Sequence, residues 1–291
     1  MIEVSYHQDQ QGSYEFFCNN KAYCSYILEV KFTSLENAKS DHLLPYIGAV
    51  NPGRTNLFKL SKENTNNLIS FKYKISYTKG CINPRVNPDF TYLLPIAPGK
   101  QAQAYEMENM DKQNPGDPRP KDWYVIRLKM NPGDTIFAAR RGIVTEVEDQ
   151  SNLNDSGLPS AGSENYIEIV HRDCSFGHYG ILKRNSALIK LGQAVEAGQP
   201  IGLVGGDRYG RGAEARFSVY YNIEQKEAQK EDGTNEKVTW AYIPLQFWTE
   251  KNGKGKLKNG ATYISEHPQS LITQEAKKIE KRKLKTKGKS A

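Results

Sequence analysis

The apolar residues of this sequence come in short alternating runs, and this pattern limits the chain more than any other feature. Residues 14–18, 23–32 and 68–77 alternate apolar with polar side chains and are bounded by Gly, Pro or Asn. A period of two is typical of a strand that buries one face. Long runs with helical periodicity are scarce, and the 17 tyrosines suit strands as well. The sequence therefore predicts an all-β protein.

Three regions follow one another along the chain. Evenly spaced strand-like stretches predict an immunoglobulin-like β-sandwich over residues 1–104. Residues 101–121 are polar and contain three prolines, which predicts a linker or a long crossover. We expect a second β domain with closing strands over residues 105–268, and a basic helical or disordered tail over residues 269–291.

The net charge of +7 is local to that tail. Eight basic residues and one acid follow residue 275, so the rest of the chain is balanced. A basic tail of this kind is most simply a solvated extension, and no basic surface interleaved with aromatic residues accompanies it. Nucleic acid is therefore a disfavoured partner.

Export and membrane signals are weak. No stretch approaches the roughly 20 apolar residues that a membrane helix requires, so no membrane span is expected. The first residues are also too polar for a signal peptide. We expect a periplasmic or cell-envelope protein if an export signal was trimmed, and a cytoplasmic one otherwise.

The four cysteines lack Cys-x-x-Cys spacing, which disfavours a structural zinc knot. Cys18 and Cys24 flank residues 19–22, which we interpret as a hairpin turn. The two thiols are then either a disulfide across two strands or two half-buried small hydrophobes. The sequence leaves both alternatives open.

A motif of glycine, two residues and Ile or Val occurs three times, at residues 133–136, 192–195 and 198–201. Glycine accepts backbone angles that other residues avoid, so each copy predicts a tight turn that leads into a strand. Residues 142–147 predict a further strand after the first copy.

These glycines belong to a longer pattern. It contains Asn-Tyr-Ile-Glu-Ile-Val-His at 165–171, then Asp173, Tyr179 and Leu182, and the glycines from 192 to 205. The pattern resembles the core of the lysostaphin/LytM family of zinc metallopeptidases, which cut peptidoglycan cross-bridges. The resemblance implies a β-sheet core of the duplicated hybrid motif type. The region before it is similar, less specifically, to the domain that precedes such cores in certain envelope proteins.

Members of that family hold zinc with two His and one Asp, and use two further His in catalysis. The resemblance places Trp123 and Arg127 at the first two ligand positions and Arg216 at the third. It places Ile181 and Glu214 at the positions of the two catalytic His. Trp has no lone pair for a metal and Arg is a permanent cation, so the resemblance implies a degenerate site without zinc.

The histidine inventory argues against a shifted alignment. Only five histidines occur, and none stands in a His-x-x-x-Asp or His-x-His arrangement. His171, Asp173 and His178 form an alternative metal site if they converge across a hairpin. A structural role for His171 in the strand is the favoured interpretation.

The replaced positions define a candidate groove. Its residues are Trp123, Arg127, Tyr179, Ile181, Glu214 and Arg216. The two arginines either accept an external carboxylate or phosphate, or pair internally with Glu214. Trp123 and Tyr179 either wall the groove or pack in the core.

Two functions from different classes remain. The favoured one is a non-catalytic, peptidase-like binding or scaffolding protein of the bacterial cell envelope, which needs no cofactor and holds a protein partner or a peptidoglycan-derived ligand. The alternative is a zinc metalloendopeptidase that acts on peptidoglycan cross-bridges through ligands not identified in the sequence.

Overall fold

The computed structural model describes residues 1–107, 122–151, 164–206, 212–229 and 235–275. Strands dominate these ranges, so the all-β prediction is confirmed. The elements are β1 (Ile2–Gln8), β2 (Tyr14–Asn20), β3 (Tyr26–Glu36), β4 (Ala38–Ser40), β5 (Tyr46–Val50), β6 (Gly53–Lys62), β7 (Ser70–Lys79), β8 (Thr91–Leu93), β9 (Gln101–Glu106), β10 (Ile126–Lys129), β11 (Thr135–Phe137), β12 (Gly142–Glu148), β13 (Tyr166–Val170), β14 (Phe176–Gly180), β15 (Ala194–Val195), β16 (Pro200–Leu203), β17 (Glu214–Gln229), β18 (Asn235–Tyr242), β19 (Gln246–Thr249), β20 (Gly253–Gly255), β21 (Thr262–Ile264) and α1 (Gln269–Ile272).

The chain divides into two compact units. The first comprises residues 1–84 and 222–224, and the second comprises residues 85–221 and 225–291. Strand β8 and residues 101–104 of β9, which fall within the predicted first domain, therefore belong to the second unit. None of the helices in the described part of the chain has the length and apolar character that a membrane crossing requires.

The first unit contains two antiparallel sheets, with strand orders β1-β2-β6-β4 and β5-β3-β7. Phe16 and Phe58 lie on the first sheet, and their ring centroids are 5.8 and 6.0 Å from that of Phe32 on the second. The two sheets thus pack face to face over an aromatic core. An immunoglobulin-like connectivity stays a prediction.

The hairpin predicted around residues 19–22 does not form. Strand β2 lies in one sheet and β3 lies in the other, so the intervening residues cross between sheets. Asn20 organises the crossing, because its Nδ2 donates hydrogen bonds to the carbonyl oxygens of Cys24 and Val50 at 2.9 and 3.0 Å. Cys18 and Cys24 are buried thiols rather than a disulfide.

The second unit is built on a nine-stranded sheet with the order β15-β12-β13-β14-β17-β10-β9-β21, to which β18 adds beside β17. One face of this sheet packs into the core. Ile167, Tyr179, Phe217 and Ile126 are cross-strand neighbours on that face, and each is at most 1% exposed. Alternate residues of the same strands point to the opposite face, which is polar.

The predicted glycine turns are confirmed. Gly133, Gly192 and Gly198 have φ angles of +79°, +81° and +79°, in the left-handed region that favours glycine. Each turn leads directly into a strand, which is β11, β15 or β16 respectively.

The predicted linker is wrong over its first residues. Residues 101–106 form β9, which pairs with β10 on one side and β21 on the other. The rest of the predicted linker, from residue 108 to 121, lies outside the described residues. The predicted helix after Pro268 is present as the short α1, and the basic tail from residue 276 lies outside the described residues.

Candidate functional site

The candidate site lies on the polar face of the nine-stranded sheet. The strand register places five residues in one row across neighbouring strands, in the order Tyr166, Gly180, Arg216, Arg127 and Tyr105. Residues paired in register point to the same face of a sheet. The structure therefore brings the two sequence-predicted arginines side by side, with a tyrosine at each end of the row.

Glu214 holds the two arginines together. Arg216 donates from Nε to Oε1 of Glu214 at 2.8 Å, and Arg127 donates from Nη1 to Oε2 at 3.2 Å. The Glu214 side chain is only 2% exposed. Of the two alternatives that the sequence left open, the internal ion pair is the one present.

Glu164 extends the ion pair into a network. Arg216 Nη1 donates to Oε2 of Glu164 at 2.8 Å, and Nε2 of His178 lies 3.8 Å from Oε1. Burial alone would raise the pKa of Glu164, but the contacts with His178 and Arg216 outweigh burial and hold this pKa below its usual value. We call Arg127, Glu214, Arg216, Glu164 and His178 the groove network.

Gly180 makes room for this network. A Cβ atom at Gly180 would lie 2.8 Å from Oε1 of Glu164 and 3.6 Å from the Cβ atom of Arg216. The glycine between Tyr166 and Arg216 therefore lets the carboxylate lie against the strand. This packing leaves the space beside Arg216 filled by protein atoms.

Aromatic rings border the groove network. The Arg127 guanidinium lies 4.5 Å from the ring centroid of Tyr105, and His178 stacks on Tyr166 at 4.8 Å. Trp123 packs on Tyr242 at 4.8 Å and donates from Nε1 to the carbonyl of residue 107 at 3.2 Å. These rings are half-buried, so each keeps part of its surface in contact with solvent.

The structure does not bring Tyr179 to this face. Its ring lies on the core side, 4.7 Å from that of Phe217, and the residue is 1% exposed. Its hydroxyl accepts a hydrogen bond from the backbone N–H of Ala139 at 2.8 Å. Burial raises the pKa of Tyr179 above its usual range. Tyr179 is a core residue, not a wall of the groove.

Ile181 is also unavailable to a ligand. It is completely buried and has a φ of +65°, a left-handed conformation that is unusual for a β-branched residue. Its carbonyl accepts the N–H of Gly205 at 2.8 Å, which anchors the turn after β14.

The residues that the sequence resemblance assigns to metal positions do not fit zinc. Zinc sites in proteins use thiolate, imidazole and carboxylate ligands, whereas these positions hold Trp123, Arg127 and Arg216. The nearby carboxylates of Glu214 and Glu164 accept hydrogen bonds from arginines. Across the described ranges, no group of three or more His, Cys, Asp or Glu side chains is arranged to hold a metal.

The alternative site of His171, Asp173 and His178 does not assemble. A Cβ atom on Gly177 would lie 2.9 Å from Nε2 of His171, so His171 lies on the side of β14 that Gly177 faces. His178 is the next residue and points to the opposite face. Asp173 instead accepts a hydrogen bond from Nη1 of the buried Arg140 at 2.8 Å.

His171 itself is structural. Its Nδ1 donates to the carbonyl of Arg141 at 2.8 Å, and the side chain is buried. Burial, assisted by the charge of Arg140, lowers the pKa of His171 well below its usual value, so the ring is neutral near pH 7.

Sequence reasoning missed Tyr105 and Glu164 and did not place His178 in the groove. Tyr105 lies in the segment interpreted as a linker, and Glu164 precedes β13 without any motif around it. The strand register joins Tyr105 to Arg127, and side-chain contacts join Glu164 to Arg216 and His178. A correct assignment of β9 beside β10 would have indicated Tyr105.

Comparison with known proteins identifies a family model that matches the region of the candidate site. Residues 121–231, less than half of the chain, match the model for Peptidase family M23, so the chain contains a domain of this LytM/lysostaphin type. No curated protein sequence matches the chain.

Several solved structures are similar to the chain at low identity and low TM-score. The catalytic domain of lysostaphin from Staphylococcus simulans is 19% identical with a TM-score of 0.29, over 49% of this chain and 88% of that one. Csd3 from Helicobacter pylori is 13% identical with a TM-score of 0.33, over 99% and 82%. A zinc-containing peptidase from Vibrio cholerae is 14% identical with a TM-score of 0.33, over 75% and 82%. Similarity at this level bears on neither activity nor ligand.

Proposed function

We propose that the Peptidase family M23 domain at residues 121–231 is a non-catalytic binding or scaffolding module of the bacterial cell envelope, which holds a protein partner or a peptidoglycan-derived ligand. One observation carries the proposal. Glu214 and two arginines form an ion network, and the sequence resemblance assigns them to one catalytic position and two of the three zinc-ligand positions. A site of this composition binds and orients, but it has no group suited to activating water through a metal.

The chemistry of the groove network supports a non-catalytic role. Metal-assisted hydrolysis needs an open coordination position and a water whose pKa the metal lowers. Arg216 and Arg127 carry fixed positive charge that opposes a dication. Glu214 is the remaining carboxylate at an assigned catalytic position, and both of its oxygens already accept hydrogen bonds from the two arginines.

The rim of the groove supports ligand binding. Arg127 is 22% exposed, so part of its guanidinium still reaches solvent beside the Tyr105 ring. Trp123 and Tyr242 form a second aromatic surface. Aromatic faces next to an arginine favour peptide or sugar ligands that carry a carboxylate. Cell-wall fragments and extended protein segments both have this chemistry, and location in the cell envelope is part of the proposal.

Site-specific photo-cross-linking tests this function. A photoreactive phenylalanine analogue replaces Trp123 in the full chain, and the variant is irradiated with envelope extract and with purified peptidoglycan. The matched control carries the same analogue at Trp248, a half-buried tryptophan in β19 outside the groove. We expect a defined adduct from position 123 and none from position 248.

Two results would contradict the proposal. Equal labelling from positions 123 and 248 would show that the groove is not a preferred binding surface. Release of soluble peptidoglycan fragments by the unmodified protein would show that the domain is an active hydrolase.

A further inference from the structure

In the first unit, some core-facing side chains at one edge of the β-sandwich remain exposed to solvent. Strand β7 is an edge strand, because β3 is its neighbour on one side and the described sheet ends on the other. Ile75 and Tyr77 of β7 are 38% and 47% exposed. In the register of the sheet they lie opposite Val30 and Leu28, both completely buried. Ile75 and Tyr77 therefore point toward the core side of the sheet but remain exposed.

The edge strand of the facing sheet meets the same opening. Tyr6 on β1 is 46% exposed, and its ring lies 5.1 Å from that of Phe71 and 6.5 Å from that of Tyr73 on β7. Strands β1 and β7 thus border one aromatic seam. We call the exposed parts of Tyr6, Ile75 and Tyr77 the edge seam. A long edge strand with exposed inward apolar side chains is a template for adding a further strand.

Basic residues on the outward face of β7 and its neighbour β3 favour an added strand that carries acidic residues. Strand β7 has three lysines and no acid, and Lys72 and Lys74 are exposed on its outward face. Lys31 of β3 lies directly opposite Lys74. Like charges opposite each other are unfavourable, so an acidic residue on a neighbouring strand would relieve the repulsion. Two β7 strands side by side would instead add their lysines on one face, which disfavours a second copy of this chain.

We propose that an extended segment of a protein partner adds as a strand to the edge of β7 before Lys79, whose carbonyl accepts a hydrogen bond from Nδ2 of Asn222 at 3.5 Å. Its apolar residues alternate with acidic residues, so that one set covers the edge seam and the other set lies beside Lys72 and Lys74. Backbone hydrogen bonds to β7 supply affinity, and the alternating side chains supply specificity. This interaction does not depend on the groove network, so either proposal can fail without the other.

A peptide-binding experiment on the full chain tests the edge seam. The probe is a fluorescent peptide of about nine residues, long enough to span β7, in which valine alternates with glutamate. A second peptide alternates valine with lysine. We expect saturable binding of the glutamate peptide, little binding of the lysine peptide, and slower amide exchange over residues 70–79 in the bound state.

Three variants locate the binding. Ile75→Lys is expected to weaken binding by about tenfold or more, because it places a charge in the apolar seam. Ile47→Lys is the control, since Ile47 is 61% exposed on β5 and faces outward opposite Glu29. Lys74→Glu is expected to reverse the preference between the two peptides. Its side chain is solvent-exposed, so this variant is expected to fold.

Several outcomes would overturn the proposal. These are the absence of saturable binding up to about 1 mM peptide, an equal loss of affinity in Ile47→Lys, and unchanged amide exchange over residues 70–79. A dimer in sedimentation that Ile75→Lys dissociates would also overturn it, because the occupant of the edge would then be a second copy of the chain.

Discussion

Glu214 is the residue on which the groove network depends. It lies between two arginines and is 2% exposed, so its charge is both neutralised and shielded from water. Removing one partner from a buried ion pair is costly, because the other charge stays buried without compensation. The same carboxylate therefore holds both arginines in the groove network.

Neutralising Glu214 tests this role. Glu214→Gln keeps the shape of the side chain but leaves Arg127 and Arg216 facing a neutral amide, so we expect a loss of about 3 kcal/mol in the free energy of unfolding. Urea denaturation followed by circular dichroism measures the loss. The control is Glu196→Gln, whose partner Arg141 lies 3.1 Å away on an exposed surface and whose effect should stay below about 1 kcal/mol. Equal effects of the two variants would contradict the structural role of Glu214.

His171 predicts a pH dependence of stability. Its pKa lies below 6.5 in the folded protein, so the unfolded state binds a proton at a higher pH than the folded state does. The neutral ring therefore contributes stability that is fully present above pH 6.5 and is lost as the pH falls from 6.5 toward the folded pKa. His171→Asn can still donate to the Arg141 carbonyl, but it does not titrate.

Stability of the variant should accordingly change less between pH 6.5 and pH 5 than that of the unmodified protein. Thermal denaturation over this range measures the slope. His7→Asn is the control for the loss of a histidine elsewhere in the chain, because His7 is 52% exposed on β1. A slope in His171→Asn equal to that of the unmodified protein would show that His171 is not the responsible group.

Among the elements, β12 and β13 leave no room for a side chain at Gly142. A Cβ atom at Gly142 would lie 2.3 Å from the carbonyl oxygen of Val170 and 2.5 Å from Cγ2 of Ile169. The backbone of Val170 and the buried side chain of Ile169 cannot move far enough to admit a Cβ atom. The glycine that follows the first turn motif is thus needed for strand pairing.

Gly142→Ala should destabilise the protein by about 1–3 kcal/mol, as overpacking in a core does. The same denaturation assay measures the change. Gly255→Ala provides the control, because Gly255 lies in β20 with no atom within 4 Å of its Cβ position. A Gly142→Ala variant as stable as Gly255→Ala would contradict the close approach of β12 and β13.

The fold of the whole molecule was predictable where the deciding forces are local. The turns at Gly133, Gly192 and Gly198 depend on one residue's backbone freedom, and alternation alone located β2, β3 and β7. Strand β9 was missed because its partners, β10 and β21, lie far apart along the chain. Pairing over long distances leaves little trace in a local pattern.

The candidate site was predictable only where a sequence motif identifies its residues. The family motif identified Arg127, Glu214 and Arg216, which the structure brings together. It did not indicate which face of the sheet each residue occupies, so Tyr179 was assigned to the groove although it lies in the core. Glu164 joins the network through its side-chain contacts with Arg216 and His178, which no sequence motif indicates.

We expect the groove network to exclude zinc, and the metal content of the protein measures this directly. The protein is purified without chelator, incubated with equimolar zinc, separated from free metal by gel filtration, and analysed by mass spectrometry alongside an active peptidase of the family. We predict far less than one zinc per chain and no release of peptidoglycan fragments. One retained zinc per chain together with fragment release would contradict the account.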